Sequence, residues 1–504
     1  MKTTALFFTL VLFIHQSIAQ NATRIYERIM IFNNGVLQSA TPEQNSMVND
    51  TTAFNNHIGK NLLRLNGKYY HVYFSGISGD NNIYFRKSTD GLNWSQPVQV
   101  NDDSAFAQQH SPSLALLDAG GGNSEVYVSW QDNRNASFEM RFSRSTDDGT
   151  TFSPSVVIGS NSSSVSSSGN ISLDASGTLY SVWNYFDGCW NHIEFRSSSD
   201  QGLTWSAPSF PYSGGCFTDQ ASCIGGNAGQ VAIFFSSDQF NLKNMFCLSS
   251  SDGGNTWQQV QATPYSGFQV ISYYNSATTT INNELCLLFT HEINGSETKV
   301  LSIKSDDWGL TWSDSVRVSD PVPLLSSWQY QGYLMTELES GGQGRLFAAW
   351  ADARYDLPSD QNFDCFIATS ADTGNTWNTN LLIPQDTSGH LQAFISLCAS
   401  KNSTGNDTVL VIWSDNRAFP TGVYEASGPR IKVSPNPFEN YVLVQNAYAG
   451  TYFTLTDITG KVIMNETAQE NNFQFDLSHL SKGMYVLQYT YKGQRAGMKL
   501  VKLH

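Results

Sequence analysis

One nine-residue phrase, written almost identically at 197–205 (SSSDQGLTW) and 249–257 (SSSDGGNTW), constrains this chain more than any other feature. KSDDWGLTW, TSADTGNTW and RSTDDGTTF repeat it, and KSTDGLNW is a form one residue shorter. The six aspartates are Asp90, Asp147, Asp200, Asp252, Asp307 and Asp372, at steps of 57, 53, 52, 55 and 65 residues. A catalytic residue is seldom written six times, whereas a recurring period of this size marks an array of like structural units. The phrase describes a hairpin turn. Ser and Asp side chains bind nearby backbone N–H groups, Gly supplies a positive φ, and the closing Trp or Phe packs between neighbouring sheets.

A second periodicity counts the units. Alternating apolar strands end in Phe74, Trp130, Trp183, Phe235, Phe289, Trp350 and Trp413, which gives seven units, one more than the boxes. The seventh, HLQAFISLCAS…TVLVIWSDNR…GVYEAS, has three strands and no box. Its missing fourth strand can come from RIYERIMIF (Arg24 to Phe32), which belongs to no other unit. Joining the two chain ends in one sheet removes free edges. The expectation is an all-β chain with a seven-bladed β-propeller over 21–428, or a six-bladed one if an end unit is a decoration. From GPRIKVSPNPFENYVLVQNA onward the box pattern is lost, and 429–504 reads as a small Ig-like β-sandwich.

The first twenty residues are set apart. Lys2, the apolar run Ala5 to Ile14 and the small-residue site Ser17-Ile18-Ala19 read as a secretory signal peptide. No later stretch has the length of a transmembrane helix. With 28 Lys+Arg and a net charge of -15, nucleic acid is excluded as a partner. Seven cysteines is an odd number for an exported chain. Cys247, Cys286, Cys365 and Cys398 lie in apolar strand patterns and read as core residues. Cys189, Cys216 and Cys223 read as loop residues that form a disulfide among themselves, with a zinc site beside His192 as the alternative.

The S-x-D-x-G-x-x-W phrase resembles the Asp-box, or BNR repeat, of the sialidase-like β-propeller superfamily. Ser434-Pro435-Asn436-Pro437-Phe438, Asp457-Ile458-Thr459-Gly460-Lys461, Asp476-Leu477-Ser478, Lys482-Gly483-Met484-Tyr485 and Lys499-Leu500-Val501-Lys502 together resemble the type A C-terminal sorting domain of type IX secretion. The second resemblance implies a Bacteroidota-type source, the type IX machinery as a partner, and a secreted or cell-surface location. The first implies that substrate meets the face of the ring away from the boxes, where the loops after strand 2 and before strand 1 emerge. The Arg-Ile-Pro signature of true sialidases is absent, Arg24-Ile25-Tyr26 being the nearest text.

On that face three units read W-x-D-x-R, with Asp132 and Arg134, Asp352 and Arg354, and Asp415 and Arg417. These pairs can be ion pairs stitching blades, or three guanidiniums converging on a carboxylate or sulfate. The other units carry Gly76, Tyr185, Ser237 and His291 at the aspartate's place. The third unit concentrates Tyr185, Asp187, Trp190, His192 and Arg196, and the fifth sets His291 beside Glu292. His57, His110 and His390 precede inner strands, and Trp190, Trp328 and Tyr355 could serve as aromatic platforms.

The leading expectation is an exported, monomeric protein of glycoside hydrolase type acting on extracellular glycans, with Asp187 and Glu292 as its carboxylates. A polysaccharide lyase on uronic-acid glycans stands beside it, using His192, Tyr185 and Arg196. A non-catalytic glycan-binding or adhesive propeller is the third reading. No cofactor is expected, and a structural metal ion is left open.

Overall fold

The computed structural model describes residues 24–502 with breaks at 42–43, 46–52, 55–59, 78–79, 104–106, 136, 160–168, 187–190, 214–220, 238–242, 264–268, 271–274, 294–296, 322–335, 353, 355–362, 385–391, 401–405, 416–431, 437, 446, 448–449, 458–460 and 492–493. Chain contacts divide it into Met1–Asn416 and Arg417–His504.

The larger unit is built from antiparallel sheets of four or five strands, and all but the sheet that joins the two ends of the unit run through their strands in chain order. Residues 62–99, 109–157, 170–213, 222–261, 276–317 and 336–382 supply blades 1 to 6. Blade 7 starts with Gln392–Ala399 and Asn406–Asp415. The first strands of successive blades lie side by side, and Gln392–Ala399 returns to Leu62–Leu65 of blade 1, which closes the circuit. Side chains on these strands bond the next strand along. Ser113 Oγ accepts from the Ile171 amide at 3.1 Å, Asn170 Oδ1 from that of Cys223 at 3.1 Å, and Ser276 Oγ from that of Leu338 at 2.9 Å.

Both ends of the unit complete blade 7, and the sharing differs from the expectation of three strands plus one. Arg24–Asn33 pairs directly with Asn406–Asp415, from Arg24↔Asp415 to Asn33↔Asn406, and Val36–Ala40 follows as the outer strand. The N-terminal segment thus supplies the third and fourth strands, and the GVYEAS segment assigned to the third place lies outside the described residues. The cause is local. Asn34 and Gly35, at φ 46° and 79°, make the two-residue turn that folds Arg24–Asn33 back as a hairpin. A hairpin brings two strands, not one.

The boxes act as turn staples. In blade 3, Ser198 Oγ donates to Asp200 Oδ1 at 2.8 Å and accepts from the Gly202 amide at 2.8 Å. Asp200 in turn accepts from the Thr204 amide and hydroxyl at 2.9 and 2.5 Å. The Thr204 bonds hold the Asp200 carboxyl down at about 2, and Thr256 does the same for Asp252. Each box also grips the preceding blade. The rings of Trp205 and Trp257 meet Phe142 and Phe195 edge-on at 5.2 and 5.0 Å. The seven strand-2 aromatics are all buried.

The smaller unit has two sheets, Lys432–Ser434 with Tyr441–Gln445 and Phe473–Asp476, and a four-stranded sheet ending in Gln494–Lys502. Phe453, Leu455, Phe475, Leu487 and Leu500 form its core. The motifs read from sequence meet on the last strand. Asn436 Oδ1 accepts from the Val501 amide at 2.9 Å and Phe438 N–H donates to the Val501 carbonyl at 2.8 Å. Lys502 Nζ donates to the Leu477 and Ser478 carbonyls at 2.8 and 3.0 Å.

Candidate functional site

Strand register fixes which residues share an end of the ring. In blade 2, Asp132 closes strand 2 opposite Glu139, whereas Ser145, which opens the box turn, lies opposite Val126. In blades 2 and 6, which carry both, the W-x-D segment and the box therefore stand at opposite ends of the blade.

In two of the three W-x-D-x-R segments the Trp, Asp and Arg are all described, and they repeat one arrangement. Trp130 Nε1 donates to Asp132 Oδ2 at 3.0 Å, while Arg134 donates from its backbone and from Nε to Asp132 Oδ1 at 2.9 and 3.0 Å. Trp350, Asp352 and Arg354 reproduce this at 2.9, 3.1 and 2.9 Å. The remaining donors are also engaged. Arg134 reaches Asp102 at 2.6 Å and Asp103 at 3.1 Å, and Arg354 reaches Asn380 at 3.2 Å and lies 3.9 Å over the Phe366 ring. Burial would push the Asp132 carboxyl up, but the Arg134 hydrogen bonds outweigh it and hold it below its ordinary value. These bonds hold each of the two guanidiniums within its own blade and linker. In blade 7, Trp413 Nε1 donates to Asp415 at 3.4 Å, and Arg417 lies outside the described residues.

Blade 3 departs from this pattern. Tyr185 and His192 are direct cross-strand partners, with stacked rings 5.7 Å apart. Phe210, on the fourth strand, meets both rings at 6.3 and 6.2 Å and is 44% exposed. The result is an open aromatic cluster with one imidazole and one phenol, both half-buried. Arg196 does not join it. Four residues along an extended strand separate it from His192, about 13 Å, and its Nε donates to buried Glu194 at 3.4 Å. Asp187 and Trp190 lie outside the described residues.

The fifth-blade pair is only partly visible. His291 is buried at the end of strand 2, opposite Lys299, and Glu292 follows it opposite Thr298. His110 sits between blades, edge-on to Phe74 at 5.3 Å and 6.0 Å from Phe138. His57, His390, Trp328 and Tyr355 lie outside the described residues. The disulfide reading needs correction at Cys223, which is a free, buried thiol on the inner strand Ser222–Gly225, 3.1 Å from Asn170 Oδ1. It was read as a loop residue because the strand is short. Cys189 and Cys216 lie outside the described residues. Among the described residues, no group of three or more His, Cys, Asp or Glu is arranged to hold a metal ion.

Two features escaped the sequence. Phe210 belongs to no repeat, and only its place two residues before the buried Tyr212 could have flagged it. Lys60, Glu337 and Glu339 meet beside the inner strands across 277 and 279 positions, a contact with no local signature.

Residues 68–290 match the BNR repeat-like domain, and residues 432–503 match the secretion system C-terminal sorting domain. No curated protein matches the chain. Among solved structures, an ulvan lyase is similar at 10% identity and a TM-score of 0.44, covering 85% of this chain and 93% of its own. An α-L-arabinanase of Penicillium chrysogenum is similar at 12% identity and a TM-score of 0.39, covering 60% and 92%. PorZ, a surface component of the type IX secretion system of Porphyromonas gingivalis, is similar at 11% identity and a TM-score of 0.38, covering 92% and 62%. Among the described residues no helix is long and apolar enough to cross a membrane. The six box turns and the ring of repeating sheets make the larger unit a β-propeller that carries a BNR repeat-like domain over 68–290, and the C-terminal sorting domain over 432–503 marks the chain for type IX export to the cell surface or the medium.

Proposed function

We propose that this protein acts on extracellular glycans at the end of blade 3 away from the boxes, and that its reaction is eliminative cleavage of a uronic-acid polysaccharide. One observation carries the reading: Tyr185 and His192 face each other at 5.7 Å, beside the exposed ring of Phe210. Phenol and imidazole can divide the two proton transfers that elimination needs. His192 takes the proton from the carbon next to the uronate carboxylate, and the released electron pair forms a carbon–carbon double bond. The bond to the leaving sugar oxygen breaks, and that oxygen takes the Tyr185 proton. Phe210 offers a surface on which the apolar face of a pyranose can stack. Arg196, about 13 Å along the strand, stands too far away to neutralise the same carboxylate.

The exposure of Phe210 also favours a second reading, a stacking platform that binds glycan without cutting it. One experiment separates the two. The purified protein is incubated with polygalacturonate, alginate, ulvan and dextran, while new double bonds, reducing ends and retention are followed. Double bonds formed by the wild type and lost in His192→Gln and Tyr185→Phe, with binding kept, support the lyase reading. Reducing ends without double bonds would overturn elimination, and retention without either product would leave only the platform.

A further inference from the structure

A lysine of blade 1 reaches past one blade of the ring to a pair of carboxylates on blade 6. Lys60 stands just ahead of the inner strand of blade 1, and its carbonyl accepts from the Leu114 amide of blade 2 at 2.6 Å. Its ammonium reaches the inner strand of blade 6, where it donates to Glu337 Oε1 at 2.6 Å, the Leu338 carbonyl at 2.7 Å and Glu339 Oε2 at 3.0 Å. Those three acceptors use all three of its protons. Glu337 is held from a third blade, its other oxygen accepting from Ser276 Oγ of blade 5 at 3.4 Å. The side chains of Lys60, Glu337 and Glu339 are only 22%, 8% and 15% exposed. Blades 1 and 6 are not neighbours, because blade 7 lies between them.

We infer that this triad is a lock spanning blade 7: the lysine ammonium is the resident cation of a cage built by blades 5 and 6, and it fastens blades 1 and 2 to them over the blade that the two ends of the unit complete. The geometry points to a role that neighbour-to-neighbour packing cannot fill. Sheets stacked side by side resist sliding, but blade 7 is itself completed by pairing between distant chain segments. A bond that bypasses blade 7 keeps the ring closed when that pairing loosens.

The test uses the full chain and three variants. In Lys60→Met the cage keeps two buried carboxylates without their cation, and the thermal unfolding midpoint falls by several degrees. In Lys60→Met/Glu337→Gln/Glu339→Gln the stranded charges are gone, and the midpoint recovers part of the loss. Methylammonium, the head group of the missing side chain, raises the midpoint of Lys60→Ala at millimolar concentration and leaves that of the wild type unchanged. A Lys60→Met midpoint equal to wild type would overturn the inference. So would a triple variant no more stable than Lys60→Met, including the case where neither folds, or an absence of methylammonium rescue.

Discussion

Two glycines with the same backbone angle isolate what the box contributes to blade packing. Gly202, in the blade 3 box, has φ +79°, and Gly120, in a blade 2 hairpin, has φ +80°. A Cβ at Gly120 meets nothing within 4 Å, whereas one at Gly202 falls 2.3 Å from both Cε1 and Cζ of Phe142. Phe142 cannot easily give way. It is buried, stacked on Tyr127 at 6.2 Å and met edge-on by Trp205 at 5.2 Å. Alanine at either site carries the left-handed backbone cost, about 1–2 kcal/mol. Gly202→Ala adds overpacking of about 1–3 kcal/mol. Gly120→Ala is therefore expected to cost about 1–2 kcal/mol and Gly202→Ala about 2–5 kcal/mol. Urea unfolding followed by near-ultraviolet circular dichroism reads both, because Trp205 reports on the contact directly. In Gly202→Ala/Phe142→Leu the smaller side chain makes room, so the double variant is less destabilised than the two single losses together. Equal losses for the two glycines would refute the claim that the box grips the preceding blade.

Three other outcomes follow from the same geometry. The carboxyls of Asp200 and Asp252 lie near 2 against an ordinary 3.8, so the stability they supply is present above about pH 4 and lost as the pH falls toward 2; acid titration of Asp200→Asn/Asp252→Asn should show a shallower loss over that window than wild type. Burial pushes the Cys223, Cys247 and Cys286 thiols up, Cys286 to about 12, and Cys365 and Cys398 are equally enclosed; iodoacetamide should label none of the five in the native protein and all five in denaturant, as read by peptide mass spectrometry. Arg354→Ala strands the fully buried Asp352 carboxylate and should cost about 3–5 kcal/mol in urea unfolding, with Arg354→Lys recovering little because an ammonium cannot reproduce the two-pronged bond.

Much of the propeller could be read from its sequence because its turns and strand-2 aromatics are written locally, within nine residues or one strand. Ser198, Asp200, Gly202 and Thr204 satisfy one another inside a single box, so the phrase carries its own geometry. The orphan strand at Arg24 was also legible, since it alternates and belongs to no unit. Its partner was not, because choosing between an N-terminal strand and the GVYEAS segment depends on pairing between distant positions. The site fared less well for the same reason. Tyr185 and His192 stood out as breaks in a repeat, and the register sets them face to face. Arg196 lies on the same strand as His192, and proximity in sequence overstated its proximity in space. Phe210 and the Lys60 triad arise from tertiary packing alone.

Blade 7 imposes an order of events on the life of the molecule. Arg24–Asn33 is made hundreds of residues before its partner Asn406–Asp415, so this sheet cannot form until the blades between them have been synthesised. Pairings between such remote segments form slowly, because the intervening chain must first be brought to order. Any product truncated before residue 406 would keep Arg24–Asn33 without its ladder and expose strand edges prone to aggregation. The ring can therefore close only once Asn406–Asp415 has been made, a checkpoint that copies stopping short of it cannot pass.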